Sequence, residues 1–314
     1  MEDKIQRTHW LKQRALEMGF SFVSIAQATE LTQEAKQLEA WLNKGYHGNM
    51  SYMENHFEKR IDPRLLVEGA QSIVTLMYNY YNPNIQTDPQ APKISMYAYG
   101  KDYHDIIRAK LNTLLVEMQE KFGKDNPIIG RGFVDSAPIM ERAWAKRSGL
   151  GWQGKHTLII NKGNGSFFFL AALVLNQEFV YDGPIKDFCG TCTRCIDACP
   201  TKAISEKGYL LDSSRCISYL TIELKDAIPN EYKNQMQGWM FGCDICQAVC
   251  PWNRFSKPHQ EEQFLPHEDL LDMSKKDWID LEEKTFQKLF KGSAVKRTKY
   301  AGLRRNIDFL DLED

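Results

Sequence analysis

The stretch CGTCTRCIDACP, Cys189 to Pro200, spaces four cysteines as CxxCxxCxxxC and closes on proline. A second stretch, CDICQAVCP from Cys243 to Pro251, repeats the pattern with one cysteine fewer, and Cys216 is the eighth and last cysteine of the chain. A [4Fe-4S] cube presents four corner irons. Closely spaced cysteines on a tight loop reach three of them, the fourth cysteine of the run reaches a neighbouring cube, and proline turns the chain away. Cross-ligation of this kind assigns Cys189, Cys192, Cys195 and Cys250 to one cluster and Cys199, Cys216, Cys243 and Cys246 to the other. CxxC pairs also suit tetrahedral zinc, but zinc sites need neither the closely spaced triplet nor its proline. A disulfide framework would distribute cysteines through the domain it staples and would travel with a secretory signal. Neither is visible: no cysteine precedes Cys189, and the segment Met1 to Leu11, MEDKIQRTHWL, is polar and charged.

Outward from the cysteines, 314 residues allow about two domains at roughly 150 residues each. Forty Lys plus Arg stand against 41 Asp plus Glu, so any polyanion site must be local. The longest apolar run, Phe167 to Leu175, is far short of the roughly 20 residues a membrane-spanning helix needs. A soluble, cytoplasmic protein without a membrane partner is expected.

The first 180 residues read as alternating helix and strand, an α/β (α+β) domain with antiparallel pairing. Helices are expected over 3–18, 32–44 and 102–122 and around Ile139 to Arg147. Strands are expected at Phe20 to Ala26, Ser72 to Tyr80 and Gly132 to Asp135, with a loop around Pro83, Pro89 and Pro92. Thr157 to Asn161 and Ser166 to Leu175, joined through Asn164-Gly165, read as the clearest hairpin. The division expected is 1–180 for the catalytic domain, 181–255 for a ferredoxin-like two-cluster module, and 256–314 for a short helical C-terminal segment. Acidic residues dominate from Glu261 to Glu283. From Lys284 to Arg305 there are eight basic residues (Lys284, Lys288, Lys291, Lys296, Arg297, Lys299, Arg304, Arg305) and no acidic one. Such a stretch is either a solvated helix face or a phosphate-binding surface.

Two clusters form an electron conduit, which needs a terminus. No GxGxxG follows a strand and no GxxxxGK[ST] occurs, so neither a nicotinamide site nor a P-loop is supported. The densest candidate is GRGFVDSAPIMERAWAKRSGLGWQGKHTLIIN, Gly130 to Asn161, where Asp135 precedes a helix bearing Arg142, Lys146 and Arg147, and Gly149, Gly151 and Gly154 permit close backbone approach to a ligand. Spacing alone favours Asp135 or Ser136 as a helix N-cap, with the basic residues a solvated face, over the sharper reading of Asp135 as a general acid.

VDSAP at 134–138, ERAWAKRSGLGWQGKHTLII at 141–160, CPTKAI at 199–204, LDSSRCISYLTIE at 211–223, GCDICQAVCPWN at 242–253 and YAYGKDYH at 97–104 occur together and in order. This set resembles epoxyqueuosine reductases, a family related to reductive dehalogenases. The resemblance implies a cobalamin, cob(II)alamin at rest, beside two [4Fe-4S] clusters. It implies reduction of epoxyqueuosine to queuosine at the wobble position of tRNA, the last step of queuosine biosynthesis, with an external electron donor. Asp135 becomes the proton donor, in a neutral form that needs a raised pKa, and cobalamin contacts fall at Tyr97, Asp135, Arg142, Lys155, Leu158, Ser218 and Gly242. The basic stretch becomes a tRNA contact near the anticodon loop. Many longer members add a C-terminal helical-repeat domain that helps grip tRNA, whereas this chain ends at Asp314. The rivals are a cobalamin-dependent dehalogenase of small molecules and a ferredoxin-type carrier with no catalysis.

Overall fold

The computed structural model describes residues 2–124 and 126–311; positions 1, 125 and 312–314 of the expected segments lie outside the described residues. SIVTLMYN and FFLAALVL are apolar almost throughout because both faces of the strands they form are covered by other elements. The strands β1 (Phe22–Gln27), β2 (Ser72–Asn79), β3 (Gly130–Phe133) and β4 (Phe168–Leu175) form one sheet in the order β1-β2-β4-β3, every pair antiparallel. Val74 sits opposite Leu173 and Ile73 opposite Val174, so each cross-strand pair serves one face. The helices α1 (Glu2–Glu17) and α3 (Tyr103–Phe122) bring Leu11, Ala15, Ile107 and Leu111 against the Val74 and Leu173 face. The opposite face packs Ile73 and Val174 on Leu31 and on Trp144 of α4 (Glu141–Ser148). Gly149 ends α4 in a left-handed conformation, φ 82°, its N–H closing on Ala145 and Lys146. The helix α2 (Thr32–Asn43) completes the expected helices, each within two residues of its expected bounds.

The hairpin expected between 157 and 175 does not form. Asn161 and Gly165 make a single bridge, but Ile159–Ile160 pairs with Trp152–Gln153, while β4 pairs with β2 and β3. The chain is drawn apart just after the turn: the Ser166 N–H donates to Asn253 Oδ1 at 2.6 Å, and the Ser166 carbonyl accepts from Gln247 Nε2 at 2.9 Å. Tertiary bonds to the cysteine module override a good local turn.

The cysteine module holds two short helices, Arg194–Asp197 and Ile245–Ala248, each carrying one cysteine of its run. The C-terminal residues fold as Lys275–Ile279, Glu283–Leu289 and Lys299–Phe309. Their core contains Trp278, Phe286, Phe290 and Leu303 together with Ala91, Ile94, Met240 and Phe241, so this packing unit draws on all three expected segments. Asn306, fully buried, donates to the carbonyls of Thr221 and Met240 at 2.8 Å each and locks the last helix to the module. No helix among the described residues is long and apolar enough to cross a membrane.

Candidate functional site

The eight cysteines are free thiols that gather into two groups. Burial pushes the Cys195 thiol up to about 11, and the neighbouring sulfurs of Cys250, Cys189 and Cys192 push it further in the same direction. Burial raises Cys243 too, with Cys216 and Cys199 beside it, and Cys246 is raised by burial and by Cys216, Cys243, Cys195 and Cys199. Crowded thiols of this kind resist ionisation until a cationic metal core offsets their mutual repulsion. No three Cys, His, Asp or Glu side chains among the described residues converge as around a single ion. Corner irons of a cube hold their thiolates farther apart than one tetrahedral ion does, so the donor set fits cubes.

Cys199, Cys216, Cys243 and Cys246 line a cavity of about 450 Å³, within the range of small-molecule sites, whereas the other four cysteines take no part in its wall. Asp135 lines the same cavity. The remaining wall is largely aromatic and apolar, including Tyr80, Tyr97, Phe168 and Leu158, which suits a flat macrocycle. His156 adds an unpartnered donor: burial holds its ring down at about 4, Nδ1 accepts the Leu158 N–H, and the buried Nε2 has no partner among the described residues. These residues fit the expected corrinoid. Of its expected contacts, Tyr97, Asp135, Arg142, Leu158 and Ser218 line the cavity. Lys155 stands away from it, donating to the carbonyls of Gly190 and Cys192 at 2.8 and 2.9 Å. Gly242, φ 68°, lies behind Ser95 and Tyr97 and donates to Thr221 Oγ1.

Asp135 is no helix cap. α4 begins at Glu141 with Met140 in the capping position, and Asp135 itself adopts φ 54°, a left-handed conformation uncommon outside glycine. Its N–H donates to Glu141 Oε1 at 2.6 Å, and its Oδ2 accepts from Tyr103 Oη at 3.0 Å and lies 3.3 Å from His104 Nε2. The cap of α3 aims those partners: Asp102 accepts the His104 N–H and fixes the first turn, and Tyr103 stacks on Phe169 at 3.9 Å and 7°. Burial favours the neutral form of Asp135, but the hydrogen bond and charge of His104 outweigh it and hold the carboxyl below its ordinary range. Glu141 takes the opposite course, pushed up to about 8 by burial and then by the Asp135 charge. The raised carboxyl of the pair is therefore Glu141, and the raised value expected for Asp135 is not found.

Sequence reading missed Tyr103, His104 and Glu141 as members of this site, although Asp102 before a long helical pattern was a capping signal that locates two of them. Arg142 Nη1 donates to the Thr157 carbonyl at 3.2 Å and Arg147 pairs with Glu34, also at 3.2 Å, so neither is a solvated face. The close approaches at Gly149, Gly151 and Gly154 are to Gly183, Ile160 and His156 of the chain itself. A second cavity of about 680 Å³ shares Asp135, Glu141 and Arg142 with the first and reaches Tyr52, Arg60 and Arg297.

The basic stretch divides. Arg305 donates to the carbonyls of Leu220, Leu224 and Asp226, and Arg304 to those of Trp278 and Ile279, so both guanidinium groups close the fold. Lys288 pairs with Asp269, and Arg297 pairs with Glu223 on the rim of the second cavity. Lys284, Lys291, Lys296 and Lys299 are exposed, with no ion pair among the described residues.

The described 4Fe-4S double cluster binding domain matches residues 188–253, and the family Epoxyqueuosine reductase QueG, DUF1730 matches residues 60–136. The epoxyqueuosine reductase of Cyclobacterium marinum is 56% identical over 310 residues, 98% of each chain. A solved selenomethionine-labelled epoxyqueuosine reductase superposes with a TM-score of 0.89 at 29% identity, over 97% of this chain and 81% of that one. A solved epoxyqueuosine reductase with a tRNA-Tyr epoxyqueuosine-modified stem loop gives 0.87 at 29% identity, over 97% and 80%.

Proposed function

The chain belongs to the epoxyqueuosine reductase family, and from that premise we propose that it reduces the epoxide of epoxyqueuosine in tRNA to the alkene of queuosine. The observation that carries this reading is the 450 Å³ cavity whose lining includes both a cysteine quartet and Asp135. Removing an epoxide oxygen as water to leave an alkene consumes two electrons and two protons, so a reducing wall and an acidic wall are both required.

Cys189, Cys192, Cys195 and Cys250 would hold an outer [4Fe-4S] cluster, and Cys199, Cys216, Cys243 and Cys246, which line the cavity, would hold an inner one. The order supports one-electron steps inward from a donor outside the chain. A cobalamin bound between the walls would supply a low-valent cobalt, a strong nucleophile or reductant, and Tyr97, Arg142, Leu158 and Ser218 would hold it. Asp135 hands a proton to the leaving oxygen, its Oδ2 oriented by Tyr103 and its backbone by Glu141. The 680 Å³ cavity beyond Asp135 receives the modified nucleoside, and Lys284, Lys291, Lys296 and Lys299 meet tRNA phosphates. A tRNA substrate supports a cytoplasmic location.

The test is anaerobic turnover of epoxyqueuosine-containing tRNA by reduced, cobalamin-loaded protein, followed by mass spectrometry of the nucleosides. Queuosine is the expected product. Its absence under verified reducing conditions overturns the reading, and reduction of halogenated small molecules instead would favour the dehalogenase.

A further inference from the structure

Epoxide reduction uses two protons, yet the carboxyl that faces the substrate is the one held in its ionised form. Resting on the function proposed above, we propose that the proton Asp135 delivers is stored on His104, and that Asp102 holds His104 in place and keeps it charged.

The three side chains make a line. Asp102 Oδ1 lies 2.7 Å from His104 Nδ1, and His104 Nε2 lies 3.3 Å from Asp135 Oδ2. Asp102 is fixed because it also caps α3, and the imidazole is wedged by stacking on Tyr103 at 4.1 Å. An imidazole between two carboxylates bonds to both only when both nitrogens carry hydrogen. Burial opposes that charge, but the hydrogen bonds to Asp102 and Asp135 outweigh it and bring the ring up to about 9. Exposure follows the same direction: the His104 side chain is 19% accessible and that of Asp135 is 56%, open to the cavity where a substrate arrives.

The remaining charged groups set the balance. Tyr103 donates to the Oδ2 that faces His104, Arg297 adds positive charge on the rim, and Arg108 lies near Asp102. Glu141 and Arg142 flank Asp135 from α4. Glu141, raised to about 8, carries no full charge at neutral pH and so does not compete for the His104 proton. In the transfer the Nε2–H bond of His104 breaks as an Oδ2–H bond forms on Asp135. That proton then passes to the epoxide oxygen, and the imidazole is left neutral with Nδ1–H on Asp102. A proton from bulk solvent restores Nε2–H, a second proton follows the same route so that the oxygen leaves as water, and no electrons move in these proton transfers. The arrangement resembles a hydrolase triad run in the acid direction, with the carboxylate behind the ring fixing its tautomer.

The holoenzyme labelled with ¹⁵N-histidine provides a readout independent of turnover. One of the seven histidines, identified by its loss in His104→Gln, should titrate near 9, and in Asp135→Asn it should move down toward the ordinary value of about 6.5. Asp102→Asn keeps the cap and the hydrogen bond to Nδ1 but removes the charge, and should lower the same titration. In single-turnover assays the wild-type rate should fall as pH rises through about 9. His104→Gln should lower kcat by about 10² with little change in KM and lose that limb. An ordinary His104 titration in the wild type, or a high-pH limb that persists in His104→Gln, overturns the proposal. Absence of wild-type turnover would overturn the functional reading instead, and the titration would still decide where the proton rests.

Discussion

The 450 Å³ cavity has a sulfur wall, Cys199, Cys216, Cys243 and Cys246, and an acidic wall, Asp135 with Tyr103 and Glu141, and His104 lies 3.3 Å from Asp135. The cysteines come from the compact module, and a metal core defines where each must point. The acidic wall is assembled from the start of α3, the left-handed loop at Asp135 and the start of α4, and hydrogen bonds and ring stacking define it. The difference teaches where each wall is fragile. One sulfur lost from the first removes a cofactor, whereas an atom exchanged on the second leaves the shape and changes where a proton sits.

The largest effect is expected from Cys216→Ala, which removes a thiolate from the inner cluster alone. About eight irons per chain in the anaerobically purified wild type should fall to roughly half, and turnover should vanish. Equal loss of iron from both clusters would break the assignment of quartets.

Asp135→Asn tests the opposite wall. It preserves shape and the left-handed backbone, which asparagine tolerates, but removes the transferable proton. Cobalamin should still bind, seen by its visible absorption, while kcat falls by about 10² to 10⁴. Near-normal turnover would leave the acidic wall a structural feature.

Replacing Lys291, Lys296 and Lys299 together with Ala asks whether either wall depends on the surface outside. Iron content should be unchanged. Affinity for tRNA should fall, and its logarithmic salt slope should flatten by about 2 if three single-strand phosphates lose their partners. An unchanged slope would move tRNA docking elsewhere.

The smallest effect is a stability difference at Glu141. Its folded-state value of about 8 lies above its ordinary 4.5, so the folded chain keeps a proton that the unfolded chain releases across that window. Its stabilising contribution is complete below the ordinary value and is lost as pH rises through the folded one. Glu141→Gln keeps an oxygen for the Asp135 N–H and cannot titrate. Its melting temperature should therefore drop less than that of the wild type between pH 6 and 9, by about a few degrees. Identical pH profiles would show that Glu141 is ionised in the folded protein.

Much of this was readable before any fold was known. Spacing within CGTCTRCIDACP and CDICQAVCP carries the cluster chemistry because a cube dictates which residues must be neighbours in sequence. Amphipathic periodicity located α1, α2 and α3, since a helix buries one stripe whatever it packs against. The hairpin at Asn164-Gly165 failed for the complementary reason: Asn253 and Gln247, 87 and 81 residues away, offered Ser166 better partners than the facing strand could. Arg304 and Arg305 looked like phosphate ligands on charge alone, yet the carbonyl ends they close lie on other segments. The proton's place was likewise undecided by sequence. Asp135 and Glu141 are both carboxylic acids a few residues apart, and only the fold, by setting His104 against one and burying the other, pushes their affinities for a proton in opposite directions.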